Sequence, residues 1–445
     1  MAKRNGATPT LADRGMGIGL RALRTLAGSE ILDRIGLRKQ TERFVQNATR
    51  NGFRAVGAAN RTFKRVRGSG PAQRQSRPRS TDLFDLTPTD EQQMLTEAMR
   101  DFASEQLRPV AQEADTNAAA PAELLAQANE LGVVALGIPS EHGGPLEERS
   151  AVTAALVAEA LAHGDMGLAV AALAPGAVAT ALGLWGTGDQ QATYLPDFAG
   201  ENPPVSALAI QEPGPLFDPF RLTTKARRAN GGFVLDGEKA IVPRATEGEL
   251  FVVAAELEGA PALFLVEAGS EGLEARPEPA MGIRAAATAR LRLTDVKLPA
   301  DAQLAPDEPG AYADCVRLSR VAWSALAAGT AQAVLDYVRP YVNERHAFGE
   351  PISNRQAVAF EVANIAIELE GIRLVTLRAA SRYDAGKEFA REAALARRLA
   401  AQHGMRIGSS GVQLLGGHGY VKEHPVERWY RDLRAAGMFE GVVLV

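Results

Sequence analysis

Three short segments in the last quarter of the sequence decide the fold. The first is Glu344-Arg345-His346-Ala347-Phe348-Gly349, which is followed by Pro351-Ile352 and by Gln356. The second is Gln413-Leu414-Leu415-Gly416-Gly417-His418-Gly419-Tyr420. The third begins at Arg431-Asp432 and ends in Met438-Phe439-Glu440-Gly441. Between them the chain is rich in Ala, Leu and Arg, with the spacing of apolar residues that predicts long helices.

The first two segments carry residue types that suit a phosphate group. The guanidinium of Arg345 can bind phosphate oxygens. Gly416 and Gly417 let the backbone approach a ligand closely because they have no Cβ. Taken alone, the same residues also fit a surface ion pair and an ordinary helix-breaking loop.

The third segment carries the candidate catalytic residue, Glu440. Apolar surroundings are expected to raise the pKa of a carboxyl group and to suit it to general-base work near neutrality. The apolar neighbours of Glu440 in the sequence are Met438, Phe439, Val442 and Val443. The alternative reading is an exposed glutamate without a catalytic role.

The composition is that of a soluble globular protein, with 46% hydrophobic and 23% charged residues. Its 445 residues are enough for two or three packed domains. The single cysteine excludes an intrachain disulfide and favours a reducing compartment, and the six histidines form no metal-binding motif. Residues 166–188 carry no charge, but they are mostly Ala and Gly around Pro175, so we expect buried helices rather than a membrane span.

Four regions of the chain differ in pattern. Residues 1–80 form a basic arm, and residues 81–204 form a helical region with a clear helix start near Asp90. Residues 205–305 contain short strand-like runs punctuated by Gly and Pro, which predicts a small antiparallel β domain. Residues 306–445 are helical again. The sequence therefore predicts a mostly α protein with a small central β domain.

The order and spacing of these segments resemble those of the acyl-CoA dehydrogenase family over residues 82–445. Further family landmarks match in the β region, namely Gln211-Glu212-Pro213 in the TEP loop, Gly237-Glu238-Lys239 before the WITN sequence, and Met281-Gly282-Ile283-Arg284 ahead of Asp295-Val296-Lys297-Leu298-Pro299. The resemblance implies an N-terminal α-helical domain, a middle antiparallel β domain and a C-terminal four-helix bundle. It also implies FAD as cofactor, an acyl-CoA substrate, a homo-oligomer (dimer or tetramer) and an electron-transfer flavoprotein as partner.

The resemblance assigns roles to individual residues. Glu440 becomes the base that removes the α-proton of a fatty acyl-CoA while the β-hydrogen leaves as hydride to the flavin, which gives a trans-2-enoyl-CoA. Its backbone N–H and a flavin ribityl hydroxyl are expected to polarise the thioester carbonyl. Arg320 and Asp218 are expected to contact the substrate. The residues expected to bind FAD are Arg345, Phe348, Gln356, Gln413, Gly416, Gly417, Gln211 and Val242.

Two details of this assignment depend on the family pattern. In the family, the arginine and the glutamine-glycine segment serve one FAD from adjacent subunits, so Arg345 and Gln413 are expected to act from two copies of the chain. A subset of the family places its base just before an arginine on an earlier helix. Ser319 stands at that position and cannot act as the base, which favours Glu440.

The sequence departs from the family near the flavin ring. The family's WITN corresponds to Ala240-Ile241-Val242-Pro243 and its GSD to Leu216-Phe217-Asp218, and Ala347 and Val442 replace common threonines. Three alternatives therefore stay open. One is an acyl-CoA oxidase of the same fold, one is a catalytically silent scaffold subunit with that fold, and one is a nucleic-acid-binding protein that uses the basic arm. No recognition motif supports the last, so we expect no nucleic acid.

The basic arm is an addition to the family's fold. Residues 1–80 contain 18 Lys and Arg against 4 Asp and Glu, a balance of +14, so the rest of the chain carries −18. Phe44, Phe53 and Phe63 recur near helical spacing, which predicts a basic amphipathic helix in peripheral contact with an anionic membrane. We therefore expect a cytoplasmic protein at the inner face of the membrane. The alternative is the mitochondrial matrix, because an Arg-rich, acid-poor start also resembles a transit peptide.

Overall fold

The computed structural model describes residues 84–85 and 87–445. The basic arm lies outside the described residues, together with its predicted amphipathic helix and membrane contact.

The helices before the sheet begin at well-formed caps. The Thr89 side chain accepts a hydrogen bond from the Gln92 backbone, and the Gln92 side chain accepts one from the Thr89 backbone, which closes a capping box. Asp165 caps a later helix by accepting from the N–H of Leu168. These helices are α1 (Asp90–Phe102), α2 (Arg108–Asn117), α3 (Ala122–Glu130), α4 (Ala151–Gly164), α5 (Met166–Trp185) and α6 (Gly188–Phe198).

The uncharged stretch forms one helix, α5, rather than the several helices that we expected. Pro175 lies inside α5 without ending it, since a proline removes only one backbone donor and neighbouring packing can compensate. By length and composition alone, α5 could cross a membrane, and 83% of its most apolar window is buried inside the protein. The segment therefore serves as a core helix in this structure.

The middle region forms an eight-stranded sheet in the order β6-β7-β3-β2-β4-β5-β8, with β1 paired to β4. The strands are β1 (Ser206–Ala209), β2 (Lys225–Ala229), β3 (Gly232–Val242), β4 (Leu250–Leu257), β5 (Ala260–Glu267), β6 (Leu273–Pro277), β7 (Ala289–Leu298) and β8 (Gln303–Leu304). Most pairs are antiparallel, but β1 and β2 run parallel to β4. The sheet is therefore mixed, because neither strand is joined to β4 by a hairpin that would force antiparallel pairing.

Helices return after the sheet. They are α7 (Ala311–Glu344), α8 (Gln356–Asp384), α9 (Ala390–Leu399), α10 (Met405–Leu415), α11 (Val426–Leu433) and α12 (Ala435–Met438), with a two-stranded hairpin of β9 (His346–Ala347) and β10 (Glu350–Pro351) between α7 and α8. The long helix α7 packs against α8, α9 and α10 and also against α4 of the N-terminal helices. The predicted helix–sheet–helix architecture with a C-terminal bundle is confirmed.

The sheet joins the helices through one of its two faces. Leu208 of β1 belongs to the large core shared with the helices, whereas Ala207 and Ala209 belong to a separate core on the other face. This alternation is the two-residue period of a strand. It brings the end of β1 against the last residues of the chain, where Leu208 pairs with Val442.

Candidate active site

Glu440 lies in a tight turn where the helices meet the sheet. Residues 439–442, called here the Glu440 turn, follow the end of α12, and the N–H of Val442 donates to the carbonyl of Leu208 at 3.3 Å. Gly441 has a φ of +79°, a conformation that side chains disfavour. A Cβ at Gly441 would also lie 2.8 Å from the Cβ of Ile210. The conformation therefore favours glycine at this position, and the close approach to β1 requires it.

The carboxylate of Glu440 is buried between two guanidinium groups. Arg320 of α7 donates to it through Nη2 at 2.8 Å and through Nε at 2.9 Å. Arg397 of α9 places Nη2 3.4 Å from the same carboxylate. The expectation of an apolar setting for Glu440 is therefore wrong, because two side chains from distant helices supply charge that the local sequence does not reveal.

Arg397 also holds the segment that leads into the turn. Its guanidinium donates to the carbonyl of Ala436 and, at 3.2 Å, to that of Gly437. Burial lowers the pKa of Arg397, while Glu440 acts in the opposite direction. Nothing in the local sequence distinguishes Arg397 from the other arginines of its Arg-rich helix.

The backbone of the Glu440 turn is fixed by two fully buried side chains of α7. The carbonyl of Gly441 accepts a hydrogen bond from the Ser319 hydroxyl at 2.7 Å and from the Trp323 indole N–H at 2.9 Å. Trp323 also stacks on Phe439, with ring centroids 5.1 Å apart. Ser319, which stands where some relatives have their base, therefore serves to hold the turn.

The backbone N–H of Glu440 is already engaged by another side chain. It donates to the side-chain oxygen of Gln211 at 3.1 Å. Gln211 follows β1 and is itself held by its backbone carbonyl, which accepts from the N–H of Ala240 at 2.9 Å. The structure thus brings Gln211 to Glu440, the predicted base, and its contact is with the N–H that was expected to bind a thioester carbonyl.

A buried ion pair lies beneath Gln211. Lys239 is fully buried and lies 2.9 Å from the carboxylate of Glu212, which also accepts from the Thr223 hydroxyl at 2.6 Å. Burial lowers the pKa of Lys239 to about 8. Burial of Glu212 would raise its pKa, but Lys239 and Thr223 outweigh it and lower the value to about 2. The pair is therefore ionised at neutral pH and anchors β3 to the residues that follow β1.

An apolar pocket of about 510 Å³, called here the ring pocket, lies beside the Glu440 turn. Its lining includes Ile241, Met281, Met405, Met438 and Phe439. Val242, predicted to bind the cofactor, is fully buried in the separate core of the sheet. That prediction is wrong for the side chain, because β3 bulges against β7 between Lys239 and Val242, so that Ile241 lines the pocket while Val242 lies in the core.

A second pocket of about 500 Å³, the phosphate pocket, lies between the ends of α7 and α10. It is lined by Tyr341, Arg345, Ile352, Gln413, Leu414, Leu415, Gly416, Gly417 and His418. Within one chain, Tyr341 contacts Leu415 and His418 and so joins the two helix ends, which places Arg345 and Gln413 in the same pocket. That the two residues serve one FAD from two copies of the chain stays a prediction.

The remaining predicted residues lie at the surface. Gln356 is exposed at the start of α8 and does not line the phosphate pocket. Phe348 is 96% exposed in the turn between β9 and β10. Asp218 is exposed and accepts from the N–H of Phe220, whose ring lies 5.9 Å from the guanidinium of Arg320. Among the described residues, no group of three or more His, Cys, Asp or Glu is arranged to hold a metal ion.

Comparisons with known proteins agree with this arrangement. Family models match three consecutive parts of the chain: acyl-CoA dehydrogenase, N-terminal domain, at residues 89–202, the middle domain at 207–296 and the C-terminal domain at 312–443. The mitochondrial short/branched chain specific acyl-CoA dehydrogenase of Rattus norvegicus is 32% identical over 364 residues, which cover 80% of this chain and 83% of the rat protein.

Solved structures give the same result. Butyryl-CoA dehydrogenase from Megasphaera elsdenii superposes with a TM-score of 0.73 and 28% identity, over 80% of this chain and 96% of the other. A structure described as the electron transferring flavoprotein of Acidaminococcus fermentans superposes with a TM-score of 0.74 and 28% identity over the same shares. The residues that the family models match include those that line both pockets.

Proposed function

The chain belongs to the acyl-CoA dehydrogenase family, whose members are oxidoreductases, and on that premise we propose that it converts a fatty acyl-CoA to a trans-2-enoyl-CoA. The observation that carries this proposal is the buried carboxylate of Glu440, which is held in a rigid turn beside an apolar pocket. In the proposed reaction, Glu440 takes the α-proton of the acyl group. The β-hydrogen leaves with its electron pair, and a double bond forms between the two carbons.

The two pockets fit the two ends of FAD. The apolar walls of the ring pocket, which include Phe439, suit a flat tricyclic ring. The phosphate pocket offers the guanidinium of Arg345 and two glycines, Gly416 and Gly417, at which an added Cβ would meet no protein atom within 4 Å. Backbone and guanidinium donors are suited to a diphosphate. When bound, FAD supplies the acceptor for the hydride.

Arg320 positions the carboxylate of Glu440. It donates to both carboxylate oxygens and so orients them. Oε1 is contacted by both Arg320 and Arg397, whereas Oε2 accepts from Nε of Arg320, which leaves it a lone pair for the α-proton.

The proposal includes two protein partners. Electrons leaving the reduced flavin need an acceptor, and we propose an electron-transfer flavoprotein. We also propose self-association through α8, where Phe360, Ile367 and Leu374 are 59%, 70% and 42% exposed. These residues are seven apart, so they lie on the same side of the helix, two turns from one another. A row of exposed apolar side chains is typical of an interface, and a second copy of this chain is the partner that the family suggests.

The decisive experiment is the absorption spectrum of the FAD-loaded protein during anaerobic titration with acyl-CoAs of several chain lengths. The flavin band should bleach with substrates of suitable length. Glu440→Gln should keep the fold and the flavin but slow the bleaching by about 10²- to 10⁴-fold, the usual contribution of a general base. Glu423→Gln, at an exposed glutamate outside both pockets, is the matched control and should behave as the wild type.

The outcomes separate the alternatives. Bleaching of Glu440→Gln at the wild-type rate would rule out Glu440 as the base. Rapid reoxidation of the bleached flavin with oxygen uptake would identify an acyl-CoA oxidase. A protein that binds FAD and acyl-CoA but never bleaches would be a catalytically silent subunit.

A further inference from the structure

The side chain of Gln211 accepts a hydrogen bond from a backbone N–H that the proposed reaction needs. Its amide oxygen accepts the N–H of Glu440 at 3.1 Å, and among the described residues its amide nitrogen makes one long contact of 3.4 Å, to the carbonyl of Glu212. The side chain is half-buried. One hydrogen bond of ordinary length therefore holds the Gln211 amide in place.

The family resemblance indicates what else would use this N–H. The α-carbon whose proton goes to Glu440 is bonded directly to the thioester carbonyl carbon, and the resemblance implies that the carbonyl oxygen binds at the backbone N–H of the same residue. A backbone donor at that point stabilises the negative charge that develops on the oxygen as the proton leaves.

The Glu440 turn does not depend on Gln211 for its conformation. Ser319 and Trp323 hold the carbonyl of Gly441, Arg320 holds the carboxylate, and the N–H of Val442 is bonded to β1. The backbone of Gln211 is held separately, through its own carbonyl. The amide can therefore swing away while both the donor and the backbone that carries the amide stay in place.

We propose that Gln211 is a specificity-determining residue whose side-chain carbonyl occupies the place of the thioester carbonyl until substrate displaces it. This inference rests on the proposed dehydrogenation of an acyl-CoA. Its consequence is selective: a CoA ligand gains the Glu440 N–H only if it brings a carbonyl oxygen to replace that of Gln211. A ligand without a carbonyl leaves Gln211 where it is.

The test compares two ligands on the oxidised, FAD-loaded protein. But-2-enoyl-CoA has the thioester carbonyl, and S-butyl-CoA, a thioether, lacks it; neither can reduce the flavin, so dissociation constants can be measured by calorimetry. Gln211→Met keeps the length of the side chain but removes the acceptor. The variant should bind but-2-enoyl-CoA about fivefold more tightly, the value of one modest hydrogen bond that no longer has to be broken. Its affinity for S-butyl-CoA should not change.

Controls separate this role from simple damage to the site. Gln211→Ala should shift the two affinities in the same selective way, and Gln127→Met, in α3, should change neither. Equal changes for both ligands, or an unchanged affinity for but-2-enoyl-CoA, would overturn the inference. If the wild-type protein bound neither ligand, the comparison would use the 2-enoyl-CoA and the S-alkyl-CoA of the chain length that bleaches the flavin. A flavin that no acyl-CoA bleaches would overturn the proposed function, and the inference with it.

Discussion

The Glu440 turn and the phosphate pocket differ in how fully residues of this chain surround and contact them. In the turn, side chains from α7, α9 and the end of β1 contact the carboxylate, the N–H of Glu440 and the carbonyl of Gly441. In the phosphate pocket, Arg345 is exposed and the two glycines face open space. Residues of this chain therefore surround the Glu440 turn, called here the reacting end, whereas the phosphate pocket, called here the phosphate end, is open.

This difference has a physical reason. A base must be placed within a fraction of an ångström, which requires a packed and hydrogen-bonded surround. A diphosphate binds mainly through charge and backbone donors, which tolerate an open site. Substitutions at the reacting end should therefore affect stability and rate, whereas substitutions at the phosphate end should affect only the affinity for FAD.

The largest effect is expected for Glu212→Gln, which breaks the buried ion pair under the reacting end. Removing one partner of such a pair typically costs about 3–5 kcal/mol, because the other charge stays buried alone. The thermal midpoint of the apoprotein should fall accordingly. Glu274→Gln, in an exposed pair with Arg276, is the control and should change stability by no more than about 0.5 kcal/mol.

The same substitution has a characteristic pH dependence. Because the pKa of Glu212 is about 2 in the folded protein against 4.5 ordinarily, its contribution is fully present above pH 4.5 and is lost as the pH falls towards 2. The difference in midpoint between wild type and Glu212→Gln should therefore shrink as the pH is lowered from 6 to 3. A difference that stayed constant over that range would mean that the pair is not ionised in the folded protein.

The next effect is on the rate, in Gly441→Ala. The new Cβ would stand 2.8 Å from Ile210, at a φ of +79°, so the turn must move. A displacement of about 1 Å at a reacting group can cost about 10²-fold in rate. Stopped-flow measurement of flavin reduction should show that loss, with the flavin still bound. Gly269→Ala, in a loop with nothing near its Cβ, should react at the wild-type rate, and equal rates for both variants would show that the turn is not held rigidly.

The sequence predicted the fold far better than it predicted the contacts within the site. The order of helices, sheet and helices follows from local periodicity and capping, which depend on neighbouring residues. The pairing of Glu440 with Arg320 joins residues 120 positions apart, and that with Gln211 joins residues 229 apart. Such contacts depend on how α7 and β1 pack, and an Arg-rich helix such as α9 gives no sign of which arginine turns inward.

The prediction for Val242 failed for a related reason. A strand alternates its side chains between two faces, so an error of one position exchanges a pocket residue for a core residue. Here the ring pocket receives Ile241 while Val242 is buried in the separate core of the sheet. The motif located the strand correctly, but the register of β3 with β7 shifts between Lys239 and Val242, and the local motif does not reveal such a bulge.

The smallest effect on the protein itself is expected for Gly417→Ala, at the phosphate end. Its Cβ would meet no protein atom within 4 Å, and the backbone needs no positive φ there. The apoprotein should keep its thermal midpoint, with a change in stability within about 0.5 kcal/mol. The added methyl group would instead meet the ligand, and one badly placed carbon in a binding site costs about tenfold in affinity. Quenching of FAD fluorescence during titration of the apoprotein measures that loss directly, and Gly188→Ala, at the start of α6, serves as the control.

At saturating FAD, the rate of flavin reduction by acyl-CoA should return to the wild-type value, since the reacting end is built by other residues. An unchanged FAD affinity would mean that this pocket does not hold the phosphates. A rate that stayed low at saturating FAD would mean that the two ends are not independent, and the contrast between them would no longer hold.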